Sequence, residues 1–498
     1  MLLLGAVVCA AGFTLVSFQV KDWMLDDAFI SFRYAQNLAR GHGLVYNPGA
    51  RVEGYTNFLW TFLLALFRLV GLDIVTVSRI LGLLLGIAAL AATGYTAWRR
   101  RAASRPAAAL VSMALLASLG MFAAWSLSGM EVMLLALLLV LAVTGLQSAT
   151  SNPSSPASFL LVGSALALAA MTRPEGLLAT AVLVAASLTN PGQHGRLRTA
   201  LLLLAGFGFL YIPYYVWRYL YYGYLLPNTF YAKVGFSPAQ FVRGLGYLRD
   251  FALPHVPILL LAAVGAFVER RQLMLRTSAV LVLVLAAYVA AVGGDCMPAF
   301  RFIAPVAPFV CLLAAAGIEA IARGLRRPAA RAAAAVLLAA VLVAFSLLAS
   351  FRSPHIFRSI AMDRVARYGR IVGERLGRMA RPGAVVATNT AGTIPYYSKL
   401  RTIDMLGMND AHIAHRDVPL GMGRAGHEKS DGAYVLAQRP DYIQFGSSWG
   451  SDQPLFRGDS EIARLPDFPR LYQLSLYPLE GEFLFALFEL RADTARHE

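Results

Sequence analysis

Eleven apolar runs organise this sequence, at about residues 1–19, 76–97, 107–125, 131–147, 157–171, 176–189, 199–218, 255–268, 275–292, 302–321 and 332–350. Crossing a hydrocarbon core of about 30 Å takes roughly 20 apolar helical residues, and only helices or closed barrels satisfy their own backbone there. The expected class is therefore an all-α polytopic membrane domain of about 11 transmembrane helices, with the pair at 157–189 short for a span. Composition agrees: 58% of the 498 residues are hydrophobic and 14% are charged, against about 25% charged in soluble domains.

The net charge of +16 does not point to nucleic acid. Arginines cluster at 99–105, 196–198, 270–276 and 323–331, in four of the five loops on one side, while the short loops opposite hold only Arg173 and Arg301. That asymmetry is the positive-inside pattern. It holds only if the apolar run 58–70 lies on the membrane surface as an interfacial helix. The first run lacks a basic leading region and reads as a retained helix rather than a cleaved signal. Cys9, Cys296 and Cys311 have neither metal-ligand nor disulfide spacing.

With this topology the outer face collects the unusual segments: loop 20–75, TRPE at 172–175, the aromatic stretch 219–254, GGDCMPAFRF at 293–302, and everything after about 351. Within 219–254, Ser237-Pro238 reads as a helix N-cap and first turn, with Phe241, Leu245, Leu248 and Ala252 along one face. Residues 351–498 contain no spanning run. A basic helical stretch at 356–380, strand-like GAVVATN and YIQF, and a hairpin 470–477/483–490 around Glu480-Gly481 predict a small extracytoplasmic α/β domain following a membrane domain at 1–350.

The chemistry centres on Asp26-Asp27, just after the first span. One reading is structural, because aspartate caps helices and a helix is expected over 28–39, ended by Gly41. The other is general-base catalysis: a carboxylate at a membrane cavity takes a proton from an acceptor hydroxyl, and its neighbour raises one pKa of the pair. A divalent cation is a third option, with Asp295 or Glu53 supplying a further ligand. Loop 20–75 also carries Arg33, Tyr34, His42, Asn47, Glu53, Tyr55 and Asn57, a mixture suited to sugar binding or to an interfacial aromatic belt. Of the outer cations, Lys233 and Arg301, then Arg33 and Arg173, are candidates for a phosphate, the alternative being snorkelling to lipid headgroups. Arg173 and Glu175 also suit a mutual pair. Asn228, Tyr231 and Asp295 complete the candidate substrate contacts. In the tail, Asp404, Asn409, Asp410 and His412 read as an exposed polar edge.

DDAFISFRYAQNLARGHGLVYNPGARVEGYTNFLW resembles the first outer loop of polyprenyl-phosphate-sugar-dependent glycosyltransferases with the GT-C membrane fold. More narrowly, it is similar to the mycobacterial terminal β-1,2-arabinofuranosyltransferase family and its bacterial relatives. The likeness continues in TRPEG, LLPNTFYAKV, GGDCMPAFRFIAPVAP and TNTAGTIPYYSKLRTIDMLGMND. It implies a multi-pass protein of a bacterial cytoplasmic membrane with an outer-face active site and an essential acid at Asp26 or Asp27. The implied reaction takes a sugar, with D-arabinofuranose one option, from a polyprenyl-phosphate donor to a hydroxyl of a cell-envelope glycan or glycoprotein. The expected roles are Asp26 or Asp27 as base, and Lys233 and Arg301 at the departing phosphate. The lipid tail is expected between helix 57–70 and adjoining spans. The rival is a transporter or flippase of lipid-linked sugars, which calls for ionisable groups inside the spans; these spans are nearly free of them. A non-catalytic envelope scaffold would tolerate loss of both aspartates.

Overall fold

The computed structural model describes residues 2–100, 105–151, 155–190, 195–479 and 484–492. Every predicted apolar run falls largely in helical structure, one of them divided between two helices. Among the described residues, seven helical stretches are long and apolar enough to cross a membrane, or eight if one bent pair is a single span. Leu2–Phe18, Pro156–Thr172 and Glu175–Leu188 are apolar but shorter, as is the surface-type helix Phe58–Leu69. The protein is an integral membrane protein of mostly helical build.

Two expected elements come out differently. The run 107–125 is two helices, Arg105–Ser118 and Gly120–Ser126, bent by 72°. Leu119 is extended between them, and the Gly120 amide donates to Ser350 Oγ at 2.8 Å, so the break is fixed by the helix Pro328–Arg352. The stretch expected as a surface helix and a separate span is one helix, Pro238–Val268, of about 46 Å at 1.5 Å per residue. Ser237 caps it as expected, accepting from the Gln240 amide. The face predicted from Phe241 and Leu245 points outward, however. Gln240, Gly244, Phe251, His255 and Ile258 form the buried side.

The C-terminal region carries a five-stranded sheet of β1 (Val385–Thr388), β2 (Arg401–Asp404), β3 (Tyr442–Gln444), β4 (Tyr472–Pro478) and β5 (Leu484–Leu490), in the order β2-β1-β3-β5-β4. The first three are parallel and β5 pairs antiparallel with β3 and β4. Successive residues face opposite sides. Val386, Phe485 and Leu487 pack against Val372 and Leu376 of the helix Val365–Met379, whereas Ala387, Ile443 and Phe488 join Phe445 and Ile462 on the other face. The basic stretch 356–380 is two helices, Phe357–Met362 and Val365–Met379. Between them Asp363 accepts from Trp23 Nε1 and the Val365 amide. Strand β2 was not expected. The hairpin turn at Glu480-Gly481 and residues 101–104 of the first arginine cluster lie outside the described residues.

Loop 20–57 is the seat on which the sheet region sits. Ile30, Tyr34, Tyr46 and Tyr55 share a buried cluster with Ala391, Leu406 and Met408. Tyr46 donates to the Ala391 carbonyl at 2.6 Å, and Asn228 Nδ2 reaches the Gly407 and Met408 carbonyls, each at 2.9 Å.

Candidate active site

The two aspartates open the helix Asp26–Ala39, and neither caps it; the cap is Leu25, without a side-chain bond. Asp26 serves another helix. Its carboxylate accepts from the amides of Gly392 at 3.0 Å and Thr393 at 2.8 Å, and from the Thr393 hydroxyl, at the start of Thr393–Ser398. Burial pushes its pKa up to about 6, with Asp27 adding to the rise and the Thr393 bonds opposing it. Among the described residues Asp27 makes no such bonds. Its Oδ2 lies 3.7 Å from Arg301 Nη1, and it borders two cavities at once.

The first cavity, of about 280 Å³, is lined by Asp27, Tyr55, Asn57, Glu131, Arg173, Lys233, Asp295 and Arg301, with an apolar wall of Leu226, Phe230, Val234 and Val292. Arg301 is buried, with Nε 2.7 Å from Asp295 Oδ2, though the two atoms are not aligned as a hydrogen bond. Burial works against its charge, but Asp295 and Asp27 hold its pKa above the ordinary value. The backbone delivering it is strained: Ala299 and Phe300 have φ of 56° and 50°, which residues with a Cβ rarely adopt. Trp125 Nε1 donates to the Ala299 carbonyl, and the Ala299 amide donates to His355 O, both at 2.7 Å. Lys233, at the end of Asn228–Lys233, forms no ion pair among the described residues and borders both cavities.

Beneath this cavity runs a buried polar chain. Glu131 accepts from Asn57 Nδ2 and Arg173 Nη1, each at 2.7 Å, and Arg173 pairs with Glu175 at 2.9 Å. Burial opposes the Arg173 charge, while Glu175 and Glu131 raise its pKa. The guanidinium carbons of Arg173 and Arg301 lie 5.2 and 5.4 Å from the Phe302 ring centre, within cation–π range. Glu131 was missed in the sequence because it heads an apolar run; an acid at the lip of a span was the available signal.

The second cavity, of about 300 Å³, lies between the helices and the sheet region. Asp27, Lys233, Asp363, Asn389, Thr390, Arg424, His427 and Phe456 border it. Burial and Arg424 depress the His427 pKa to about 4, so its imidazole is neutral near pH 7.

Several expected contacts prove structural. Arg33 is buried, with its donors taken by the carbonyls of Tyr46, Pro395 and Leu400 and by Asn47 Oδ1; it borders neither cavity. Asn47 also joins Thr402, and Tyr34 bridges the Val52 carbonyl and the Gly54 amide. Glu53 pairs with Arg218 at 2.6 Å. Asn228 holds three carbonyls of the 407–410 segment, Tyr231 stacks on His415, and His42 is exposed. In the tail, Asp404 and Asn409 are buried and bonded to each other rather than exposed. Among the described residues no three His, Cys, Asp or Glu side chains meet to hold a metal. The space between Asp27 and Asp295 holds the Arg301 guanidinium, and Asp26 and Glu53 are engaged elsewhere.

A family model described as a domain of unknown function (DUF8728) matches residues 358–494. The chain is 31% identical over 279 residues to a terminal beta-(1->2)-arabinofuranosyltransferase of Mycobacterium tuberculosis, covering 51% of this chain and 43% of that protein. It is 30% identical over 355 residues to one of Corynebacterium glutamicum, covering 61% and 49%. The chain thus matches less than half the length of these curated relatives. Among solved structures, ArnT from Cupriavidus metallidurans bound to undecaprenyl phosphate superposes with a TM-score of 0.65 at 14% identity, covering 98% of both chains. By fold this is a GT-C membrane protein, and over the matched residues it is similar to the terminal β-(1→2)-arabinofuranosyltransferases.

Proposed function

We propose that this chain is a glycosyltransferase that moves a sugar, D-arabinofuranose by analogy with its named relatives, from a polyprenyl phosphate to a hydroxyl of a cell-envelope glycan or glycoprotein. One observation carries the reading: Asp27, a carboxylate beside Arg301 that takes no hydrogen bond among the described residues, borders both a cationic cavity with an apolar wall and a second, polar cavity. The lipid phosphate sits in the first, near Arg301 and Lys233. Its chain leaves along Leu226, Phe230 and Val292 rather than along the helix Phe58–Leu69, which lines none of the cavity although the preceding residues Gly54, Tyr55, Thr56 and Asn57 do. ArnT, which shares the fold, binds undecaprenyl phosphate. The acceptor occupies the second cavity.

Asp27 takes the acceptor hydroxyl proton as that oxygen bonds to the anomeric carbon. The bond from that carbon to the phosphate oxygen breaks, and its electron pair leaves with the polyprenyl phosphate. Arg301 and Lys233 stabilise the charge that develops there. A phosphate is already a good leaving group, so no separate acid is required. Asp26 is a positioning residue and Asp27 the catalytic base.

The arginine-rich loops at 196–198, 270–276 and 323–331 face the cytoplasm in this reading, in a bacterial cytoplasmic membrane crossed eleven times. The site and the domain after about residue 351 face outward. Transfer from a synthetic polyprenyl-phosphoryl arabinofuranose tests the roles. Asp27→Asn is expected to lose about 10²–10⁴ in rate while inserting normally, with Asp26→Asn losing far less. Undiminished transfer by Asp27→Asn removes the catalytic assignment.

A further inference from the structure

The parallel part of the sheet ends at the second cavity. Asn389, Thr390 and Ala391 follow β1, Leu406 and Met408 follow β2, and Ser447 follows β3. The carboxyl edge of parallel strands is the usual ligand crevice of an open α/β sheet. At that edge Asn389 is 7% exposed, and its Oδ1 has no hydrogen-bond partner among the described residues. The amide cannot turn over to relieve this. Its Nδ2 donates to Asp459 Oδ1 at 2.8 Å and, more weakly, to the Gly446 carbonyl at 3.4 Å. Asp459 is itself fixed by the amides of Gly446, Leu455 and Phe456. A buried acceptor held open in this way costs stability until a donor meets it. Beside it His427 and Phe456 stack at 5.7 Å and 21°, an aromatic surface on the same cavity.

We propose that the carboxyl edge of β1–β3 is a sugar-reading subsite, in which Asn389 Oδ1 accepts a hydrogen bond from one ring hydroxyl of the acceptor glycan as the ring rests near His427 and Phe456. The assignment rests on the second cavity being the acceptor site, and makes Asn389 a specificity residue rather than part of the chemistry. Its ligand is a polyhydroxylated ring, because the unpartnered atom is an acceptor and the surface beside it is aromatic.

The test is equilibrium binding of a D-arabinofuranosyl trisaccharide, and of its complete set of monodeoxy analogues, to the full chain in nanodiscs. Wild type is expected to bind one monodeoxy analogue about tenfold more weakly than the parent, the scale of one hydrogen bond. Asn389→Ala is expected to bind the parent about tenfold more weakly and to show no further loss with that analogue. Asn389→Ser retains a hydroxyl to donate to Asp459 and is expected to lose the same discrimination; it decides the matter where the Ala variant melts early. Discrimination unchanged in the Ser variant overturns the proposal, as does wild type that binds none of the sugars. The transfer reading fails separately: Asn389-dependent binding in a protein that transfers nothing would retain the subsite and remove the enzyme.

Discussion

Adjacent aspartates with opposite duties are the clearest lesson at the residue scale. Helix geometry turns successive side chains about 100° apart, so Asp26 faces the amides of Gly392 and Thr393 while Asp27 faces Arg301. Because the folded pKa of Asp26 is raised to about 6, above the ordinary value of about 3.9, its stabilising contribution is present at low pH and lost as pH rises through about 6. The melting temperature of wild type should therefore fall between pH 5 and pH 7 by more than that of Asp26→Asn; equal pH profiles would refute this. A second residue prediction concerns the Arg218–Glu53 pair, whose side chains are 5% and 4% exposed. Arg218→Ala strands a buried carboxylate and should cost about 3–5 kcal/mol, measured by denaturation in detergent. These two residues are far apart in sequence, and neither Glu53 nor Arg218 announces its partner, which is why the sequence alone suggests Glu53 as a substrate contact.

Among the elements, two helix pairs cross through reciprocal glycines. A Cβ on Gly163 would meet the Leu203 carbonyl and one on Gly206 the Leu160 carbonyl, joining Pro156–Thr172 to Arg196–Tyr222. Gly265 and Gly317 do the same for Pro238–Val268 and Ala307–Arg323, against the Leu313 and Leu261 carbonyls. In lipid, such close backbone approach is a main source of helix association. Gly317→Val should destabilise by about 1–3 kcal/mol or more, because a carbonyl cannot move aside as a side-chain tip does; an unchanged melting temperature would show that the helices can separate without harm. The helices themselves were legible from hydropathy alone. Their interruptions were not: Leu119 lies between Ser118 and Gly120 inside one predicted run, and the bend there depends on Ser350, more than two hundred residues away. The expected division between the stretch 219–254 and the span 255–268 is absent as well, because Pro254 and Pro257 sit inside one continuous helix.

For the whole molecule, the sheet region and loop 20–57 form one packed unit over the two cavities, tied by Asp26, Arg33, Tyr46 and Asn228. The proposed orientation can be checked directly. In a background lacking Cys9, Cys296 and Cys311, a cysteine at exposed Met422 should react with a membrane-impermeant maleimide on spheroplasts, and one at exposed Arg326 only after lysis. The reverse pattern would invert the topology. The transporter alternative gains no support from charge depth. The buried ions Glu131, Arg173, Glu175, Asp295 and Arg301 gather at the first cavity. Arg100–Glu319 and Arg218–Glu53 are separate pairs, Arg218 lying near the end of the helix Arg196–Tyr222.

Hydropathy and arginine bias determined the membrane class, the positions of the helices and the face that gathers the polar segments, because each is a local property of chain composition. The strands GAVVATN and YIQF were legible for the same reason, from short apolar runs between turns. Which aspartate caps the neighbouring helix and which meets Arg301, why Arg33 is a strut, and that Asn389 lines a cavity with its Oδ1 unpartnered among the described residues depend on atoms brought together across hundreds of residues. Those assignments follow from hydrogen-bond partners, and a partner exists only once the chain has folded.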